Sequence, residues 1–265
     1  MPNIVSRLLV AAAGIPVVFA VLYVGGWWLF ALALAASLVA LHEFYGMTRG
    51  LRPLVLAGYG GVVAALIGAQ VGGIEWLLAG FLATFLLAFL LFLVAHTRAP
   101  ATVSISGTVL GAAWIGFGLG SLLLLRDLSD HGRLLAFTVV IAVWADDTAA
   151  YLVGRLVGRH KFSPALSPAK TWEGFVAGTL AAIAASFFCL YDDRDTFLAI
   201  WEAVVLGAVV AVAAALGDLF ESALKRDMQV KDSGRLLAGH GGVLDRIDAF
   251  LFAVPAAFFT VAVLT

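Results

Sequence analysis

This chain is poor in charge and nearly free of cysteine. Only 12% of its 265 residues are charged, 63% are hydrophobic, and there is a single cysteine, Cys189. An average soluble domain is about half apolar and a quarter charged, so the composition excludes an ordinary water-soluble protein. One cysteine excludes an internal disulfide and any cysteine-based metal site, and its place in an apolar run indicates a small buried side chain.

The apolar runs are long enough to cross a bilayer, which takes about 20 residues of helix. Lipid leaves helices and closed barrels as the spanning structures, and no alternating pattern supports a barrel, so we expect no sheet. The sequence therefore predicts an all-α, polytopic integral membrane protein. We expect about nine transmembrane helices, at 8–24, 27–41, 54–71, 76–95, 105–125, 134–156, 175–190, 197–219 and 247–264.

Glycine pairs predict two tight turns between neighbouring spans. Gly25-Gly26 would join the first two spans, and Gly72-Gly73 the third and fourth. Arg7 ahead of the first apolar run also fits a cleaved signal peptide. The small residues lie inside that run rather than after it, which favours an uncleaved first span.

Lys and Arg divide unevenly between the two sides of the predicted membrane. With a cytoplasmic N-terminus and nine alternating spans, 13 of the 16 Lys and Arg residues fall on the cytoplasmic side. Cytoplasmic loops of membrane proteins carry such an excess. The absence of a targeting peptide and the compact loops favour a bacterial inner (plasma) membrane.

Polar residues are concentrated in the second half of the chain. We expect residues 1–125 to form N-terminal transmembrane helices that serve as a packing and membrane scaffold. Residues 126–265 are then the C-terminal catalytic region, with its site near the cytoplasmic face. His42-Glu43, at the end of the second span, is an exception in the first half, and we interpret it as a solvated helix end.

Two pairs of carboxylates flank the most charged loop. Asp218 and Glu221 are three residues apart, as are Asp245 and Asp248, and this spacing places each pair on one helix face. Mg²⁺ prefers oxygen ligands, usually one or two carboxylates together with water and substrate phosphates. The pairs therefore predict a magnesium site. The alternative is that they form salt bridges with the loop's own Lys and Arg.

Cations and glycines fill the loop between these pairs. Its Lys and Arg residues suit phosphate groups, although anionic lipid headgroups would attract them equally. The turn around Gly241-Gly242 can bring backbone N–H groups close to an anion. His240 can donate to a phosphate oxygen. The cations proposed to bind phosphate are Lys225, Arg226, Lys231 and Arg246.

A second polar loop, at 163–174, precedes the seventh span. Lys170 and Thr171 beside a helix N-terminus form a good anion site, and a helix cap is the alternative. Upstream, Asp146-Asp147 interrupts the sixth span, where acids are functional by default. Adjacent residues point about 100° apart on a helix, so at most one of them faces a given cavity. A structural pairing with Arg155 or Lys170 is the alternative.

The charged segment from Ser222 to Asp248 resembles the signature of the CDP-diacylglycerol synthases, also called phosphatidate cytidylyltransferases. Residues 167–174 and 144–151 are similar to two further stretches of that family. The chain departs from the family pattern at Ala238, where Pro is usual, and at Ala169, where Lys is usual. The signature is present as Ser222, Lys225-Arg226, Lys231-Asp232, His240-Gly241-Gly242, Asp245-Arg246 and Asp248.

The resemblance implies transfer of a cytidylyl group from CTP to phosphatidate, giving CDP-diacylglycerol and pyrophosphate for phospholipid biosynthesis. It implies Mg²⁺ on Asp218 and Asp245, with Glu221 and Asp248 completing or supporting the shell, and it suggests K⁺ as a companion ion. A homodimer is a family-level expectation, and no nucleic acid is expected. Catalytic roles fall on Asp218, Asp245, Lys225, Arg226, Lys231, Asp232 and Arg246, and substrate binding on Lys170, Thr171, Ser222, His240, Gly241, Gly242, Asp146 and Asp147.

Three other functions compete with this one. A CTP-dependent polyprenol or phytol kinase shares the nucleotide and the membrane but yields a phosphorylated lipid and CDP. An ion-coupled transporter would use the intramembrane acids, but the broken helices of inverted repeats are missing. A regulatory membrane protein would leave both acidic pairs without a role.

Overall fold

The structure, a computed structural model, describes residues 4–95, 99–128, 130–234 and 241–265, with the backbone alone for 4–11 and 13. Helices account for most of this chain. Because lipid cannot hydrogen-bond to backbone groups, a helix satisfies them within one segment. The α-helices are α1 (Ile4–Val24), α2 (Gly26–Met47), α3 (Val55–Val94), α4 (Ala101–Arg126), α5 (Gly132–Val157), α6 (Trp172–Leu190), α7 (Ile200–Asp227), α8 (Leu244–Ile247) and α9 (Phe250–Leu264).

Seven helical segments in the described residues are long and apolar enough to cross a membrane. The predicted all-α, polytopic membrane fold is therefore confirmed. The predicted count of nine spans is not confirmed. The seven segments are α2, α3, α4, α5, α6 with the 3₁₀ turn that follows it, α7, and α8 together with α9.

The longest helix, α3, doubles back on itself at the predicted glycine turn. Gly73 has φ 74° and ψ −158°, which interrupts the helical conformation. Beyond it, Gly80 lies directly on the backbone of Ala65, and Thr84 lies against Gly61. Glycine permits this close approach of two helices, which a larger side chain would prevent. The limbs 55–72 and 74–94 therefore form a helical hairpin.

The predicted turn at Gly25 and Gly26 is also confirmed. These residues have φ 70° and φ 54°, and they separate α1 from α2. Positive φ values carry little strain for glycine because it has no Cβ.

The chain divides into two compact units. The first consists of Met1–Leu124 and Asp227–Ile247. In this unit the Tyr45 hydroxyl of α2 donates to the Thr108 carbonyl of α4 at 2.8 Å, and α2 also contacts α8. The core consists of large apolar side chains, including Leu41, Phe44, Leu66, Leu77, Ile115 and Leu123.

The second unit consists of Leu125–Arg226 and Asp248–Thr265. Its closest helix pair is α5 with α6, where Gly174 of α6 lies on the backbone of Ala150 and Gly154. On α7, Gly207 lies against the backbone of Ile183 in α6. Small residues thus bring the helices of this unit together, as is common where lipid leaves no hydrophobic driving force.

The loop before α6 folds into a two-stranded antiparallel hairpin, made of β1 (Lys161–Ser163) and β2 (Ser167–Thr171). Lys161 pairs with Thr171, and Ser163 with Ser167. The expectation of no sheet is wrong for this segment. The hairpin lies between two spans, where its backbone N–H and C=O groups can pair with each other, so the rule that limits spanning segments does not apply to it.

Candidate active site

Three carboxylates of the second unit lie near one another at the C-terminal part of α7. Asp218 and Glu221 lie on this helix, three residues apart, as the sequence predicts. Gly217 of α7 packs on the backbone of Asp248 and Ala249, which follow α8. Asp248 is thereby close enough to interact electrostatically with Asp218 and Glu221.

Two lysines neutralise part of this negative charge. The Lys170 ammonium lies 2.5 Å from Asp218 Oδ2, and the Lys225 ammonium lies 2.5 Å from Glu221 Oε2. Glu221 is 2% exposed, whereas Asp218 and Lys170 retain 26% and 29% of their side-chain surface. The alternative of a salt bridge with the loop's own Lys and Arg therefore describes Glu221, which pairs with Lys225. Asp218 pairs instead with Lys170, from the polar loop before α6.

The β-hairpin carries Lys170 to α7. Strand β2 leads directly into α6, whose N-cap is Thr171, with its hydroxyl accepting from the Gly174 N–H at 3.2 Å. Arg226 of α7 adds a second link to the hairpin, because its Nε donates to the Leu166 carbonyl at 3.4 Å. The hydrogen bond from Gly174 shows Thr171 as a helix cap, which was the alternative interpretation, and its assignment to substrate binding stays a prediction.

Two further acids lie on α5, in the middle of a span. Asp146 is 6% exposed, and its carboxylate lies against Gly178 of α6, where any side chain would overlap it. Asp147 is exposed, as expected for adjacent helical residues that point in different directions. Both carboxylates interact electrostatically with Asp218 and Lys170.

The second unit thus gathers more carboxyl groups than ammonium groups. Five carboxyl groups, of Asp218, Glu221, Asp248, Asp146 and Asp147, lie near the ammonium groups of Lys170 and Lys225. Among the residues that the structure describes, no three His, Cys, Asp or Glu side chains are arranged as a ready metal site. Mg²⁺ commonly takes only one or two carboxylates and completes its shell with water and phosphates. The excess of carboxyl oxygens over ammonium groups therefore fits a cation that the substrate helps to hold.

Asp245 belongs to the first unit and holds backbone amides there. Its Oδ2 accepts from the Gly242 N–H at 2.7 Å, and both of its oxygens lie 3.2 Å from the Ser233 N–H. Gly241 has φ 79°, and a Cβ at that residue would press on the same carboxylate. Asp245 therefore ties together two stretches of the signature. Its predicted convergence with Asp218, Glu221 and Asp248 on one cation stays a prediction.

Glu43 also holds this segment, which the sequence did not predict. It is 5% exposed, and it accepts from the Val243 N–H at 3.0 Å and from the Leu244 N–H at 2.8 Å. The interpretation of this residue as a solvated helix end is wrong, because its side chain is buried and α2 continues to Met47. An acid inside an apolar helix is the signal that could have identified it.

The other predicted residues differ in exposure. Ser222 on α7 is half-buried and Gly242 is buried. His240 and Ala238 lie outside the described residues. Among these remaining residues, the exposed ones are Arg226, Lys231, Asp232 and Arg246.

A protein-family model described as "Cytidylyltransferase family" matches residues 5–264 of this chain. The chain belongs to the cytidylyltransferase family. Among its relatives is a protein from Staphylococcus haemolyticus named phosphatidate cytidylyltransferase, 33% identical over 255 residues, which cover 94% of this chain and 95% of the relative. A protein of the same name from Staphylococcus saprophyticus is 42% identical over 147 residues, which cover 56% of this chain and 55% of the relative.

Membership of the cytidylyltransferase family confirms the resemblance found in the signature and makes the protein a nucleotidyltransferase. It excludes the transporter and the regulatory protein as primary functions. The family match also covers the first half of the chain, which the signature does not reach. That extent agrees with the contacts of Glu43, which place a residue of the first half on the signature itself.

Proposed function

We propose that this protein transfers a cytidylyl group from CTP to phosphatidate, forming CDP-diacylglycerol and pyrophosphate. The observation that carries the proposal is the alignment of nearly the whole chain with relatives named phosphatidate cytidylyltransferase. The signature residues and the cluster of acids and lysines on α7 support the same reaction. Such a site meets the need to bring two anionic substrates together.

The chemistry requires little proton transfer. An oxygen of the lipid phosphate, already anionic, attacks the α-phosphorus of CTP, and the bond from that phosphorus to the bridging oxygen of the β-phosphate breaks. Pyrophosphate leaves with the electron pair. Catalysis of phosphoryl-type transfer is mainly positioning and stabilisation of charge, so cations at fixed positions are the main requirement.

The ion pairs of the second unit support this role. Asp218 and Glu221 hold the ammonium groups of Lys170 and Lys225 in defined places. Fixed charges need no reorganisation during the reaction, which makes them effective. We assign the other phosphate contacts, as predictions, to Arg226, Lys231 and Arg246, which are exposed and therefore accessible.

We further propose Mg²⁺ as the cofactor, with K⁺ as a companion ion. The sequence predicts Asp218, Glu221, Asp245 and Asp248 as ligands. In the second unit, the excess of carboxyl groups over lysines supports a cation near Asp218, Glu221 and Asp248. When bound, Mg²⁺ would neutralise charge on the phosphates of CTP. Asp146 and Asp147 add to the negative field that attracts it.

The protein is an integral membrane protein with bacterial relatives. We propose the inner membrane as its location, with the site and the N-terminus on the cytoplasmic side. The excess of Lys and Arg on that side of the predicted topology supports this orientation. A homodimer and the division into a scaffold (1–125) and a catalytic region (126–265) stay predictions.

Purified protein with CTP labelled in different phosphates tests the proposed reaction. With phosphatidate and Mg²⁺, label in the α-phosphate should enter the lipid, and label in the γ-phosphate should leave as pyrophosphate. Chelation of divalent cations should stop the reaction, and added Mg²⁺ should restore it. With a polyprenol as the acceptor, γ-label in the lipid would instead identify a kinase. Folded protein that yields neither product would contradict the proposal.

Lys170→Met should reduce the rate of cytidylyl transfer by about 10- to 100-fold, as loss of a partner to a metal ligand commonly does. Methionine keeps the length of the side chain but removes the charge paired with Asp218. The initial rate at saturating CTP is the measurement. Lys161→Met, an exposed lysine of the same hairpin, is the matched control and should leave the rate unchanged. Equal rates for both variants would show that Lys170 is not needed.

A further inference from the structure

Glu43 connects α2 to a segment nearly 200 residues later in the chain. Its Oε1 accepts from the Val243 N–H and its Oε2 from the Leu244 N–H, with the Ser233 hydroxyl 3.5 Å from the same Oε2. All these residues belong to the first compact unit. We call the two stretches that meet there, 231–234 and 241–247, the signature stems.

The stems are shaped around this carboxylate. Gly234 and Gly242 approach it so closely that a Cβ on either residue would overlap its oxygens. Asp245 joins the same two stretches from the other side, through the N–H groups of Ser233 and Gly242. Two carboxylates therefore hold the stems in one arrangement, of which only Asp245 belongs to the signature.

Backbone amides of the signature stems donate to the buried carboxylate of Glu43. Within the part of the chain that the structure describes, no Lys, Arg or His forms an ion pair with it. Burying a carboxylate costs free energy unless hydrogen bonds compensate it. The position of the Glu43 carboxylate therefore depends on the amides of Val243 and Leu244, and the position of these amides depends on Glu43. A neutral or shorter side chain would leave at least one buried amide without its acceptor.

The amides that Glu43 holds lie next to candidate site residues. Ser233 follows Lys231-Asp232 directly, and Leu244 precedes Asp245-Arg246. A shift of the stems would therefore move two cations and two acids of the signature together. We propose that Glu43 is a positioning residue, which sets the place of Lys231, Asp232, Asp245 and Arg246 without touching the substrate. The effect on turnover rests on the proposed cytidylyl transfer, whereas the effect on the stems does not.

Hydrogen exchange and kinetics on the full-length protein test this role together. The variants are Glu43→Gln, which keeps one acceptor oxygen, and Glu43→Ala, which keeps none. Glu75→Gln, an exposed glutamate of the same unit, is the matched control. Turnover is measured well below each variant's unfolding temperature, so that loss of folded protein does not contribute.

In Glu43→Ala we expect turnover to fall about 10- to 100-fold, as for other residues that orient site groups. Glu43→Gln should retain more activity, and Glu75→Gln all of it. Faster exchange should be confined to the stems. Activity near that of the unchanged protein in both Glu43 variants would overturn the proposal. So would faster exchange spread over α2, α3 and α4, since that indicates a general loss of stability.

If the Glu43 variants do not fold, Gly234→Ala tests the contact between Glu43 and the signature stems by changing the stem instead of the carboxylate. Its methyl group should displace the carboxylate, loosen the stems and lower turnover. Normal exchange and turnover in this variant would overturn the proposal. If the unchanged protein transfers no cytidylyl group, the proposed function fails, while the exchange measurement still reports whether Glu43 holds the stems.

Discussion

Replacing Asp218 with asparagine should lower the rate of cytidylyl transfer by about 100- to 1,000-fold, the range seen when one preorganised electrostatic group is removed. Asparagine has nearly the same shape, so packing on α7 is kept. The change removes the negative charge that holds Lys170 and interacts with Asp146, Asp147 and Asp248. It also removes a candidate magnesium ligand.

The measurement is the initial rate over a series of Mg²⁺ concentrations. If Asp218 binds the cation, the variant should need more Mg²⁺ for half-maximal rate as well as being slower. Asp192→Asn, an exposed acid of the same unit, should match the unchanged protein. A folded Asp218→Asn variant with most of its activity would refute the assignment, even if the reaction itself is established.

Asp245→Asn should have an effect of similar size, about 100-fold or more on turnover. The amide would keep one acceptor oxygen, but its NH₂ group would face an N–H donor of the backbone. One of the contacts to Gly242 and Ser233 would be lost, and the stems would loosen. The charge of a candidate ligand would also disappear.

Two measurements distinguish the loss of a magnesium ligand from the loosening of the stems. A higher Mg²⁺ requirement with normal hydrogen exchange in the stems would indicate a ligand, whereas faster exchange with an unchanged Mg²⁺ requirement would indicate a structural role. Asp227→Asn, exposed in the same unit, is the matched control. Unaltered turnover in Asp245→Asn would exclude both roles.

Local sequence patterns predicted most of the helical framework. Apolar runs predicted membrane-spanning helices, although the number of nine is not confirmed, and Gly72-Gly73 predicted the turn that folds α3 back on itself. The hairpin of β1 and β2 was missed because its strands are three and five residues long and were treated as an extended loop. A short strand has too few residues for its alternation to be recognised.

The candidate site was predictable only where its residues are near one another in sequence. Asp218 with Glu221 follows from helical spacing. The contact of Lys170 with Asp218 joins residues 48 positions apart, so its partner could not be read from spacing. Glu43 lies beyond the predicted second span because the apolar run ends before His42, whereas the helix α2 itself ends at Met47.

The contact between Glu43 and Leu244 spans 201 positions in the chain, which has a consequence for biosynthesis. At 5 to 20 residues per second, the ribosome would need about 10 to 40 s to make the second partner after the first. Throughout that interval the carboxylate on α2 must find other donors, such as water or lipid headgroups. A nascent chain that stops short of Leu244 would insert its earlier helices without ever assembling the signature segment, so the enzyme is complete only after this residue has been made.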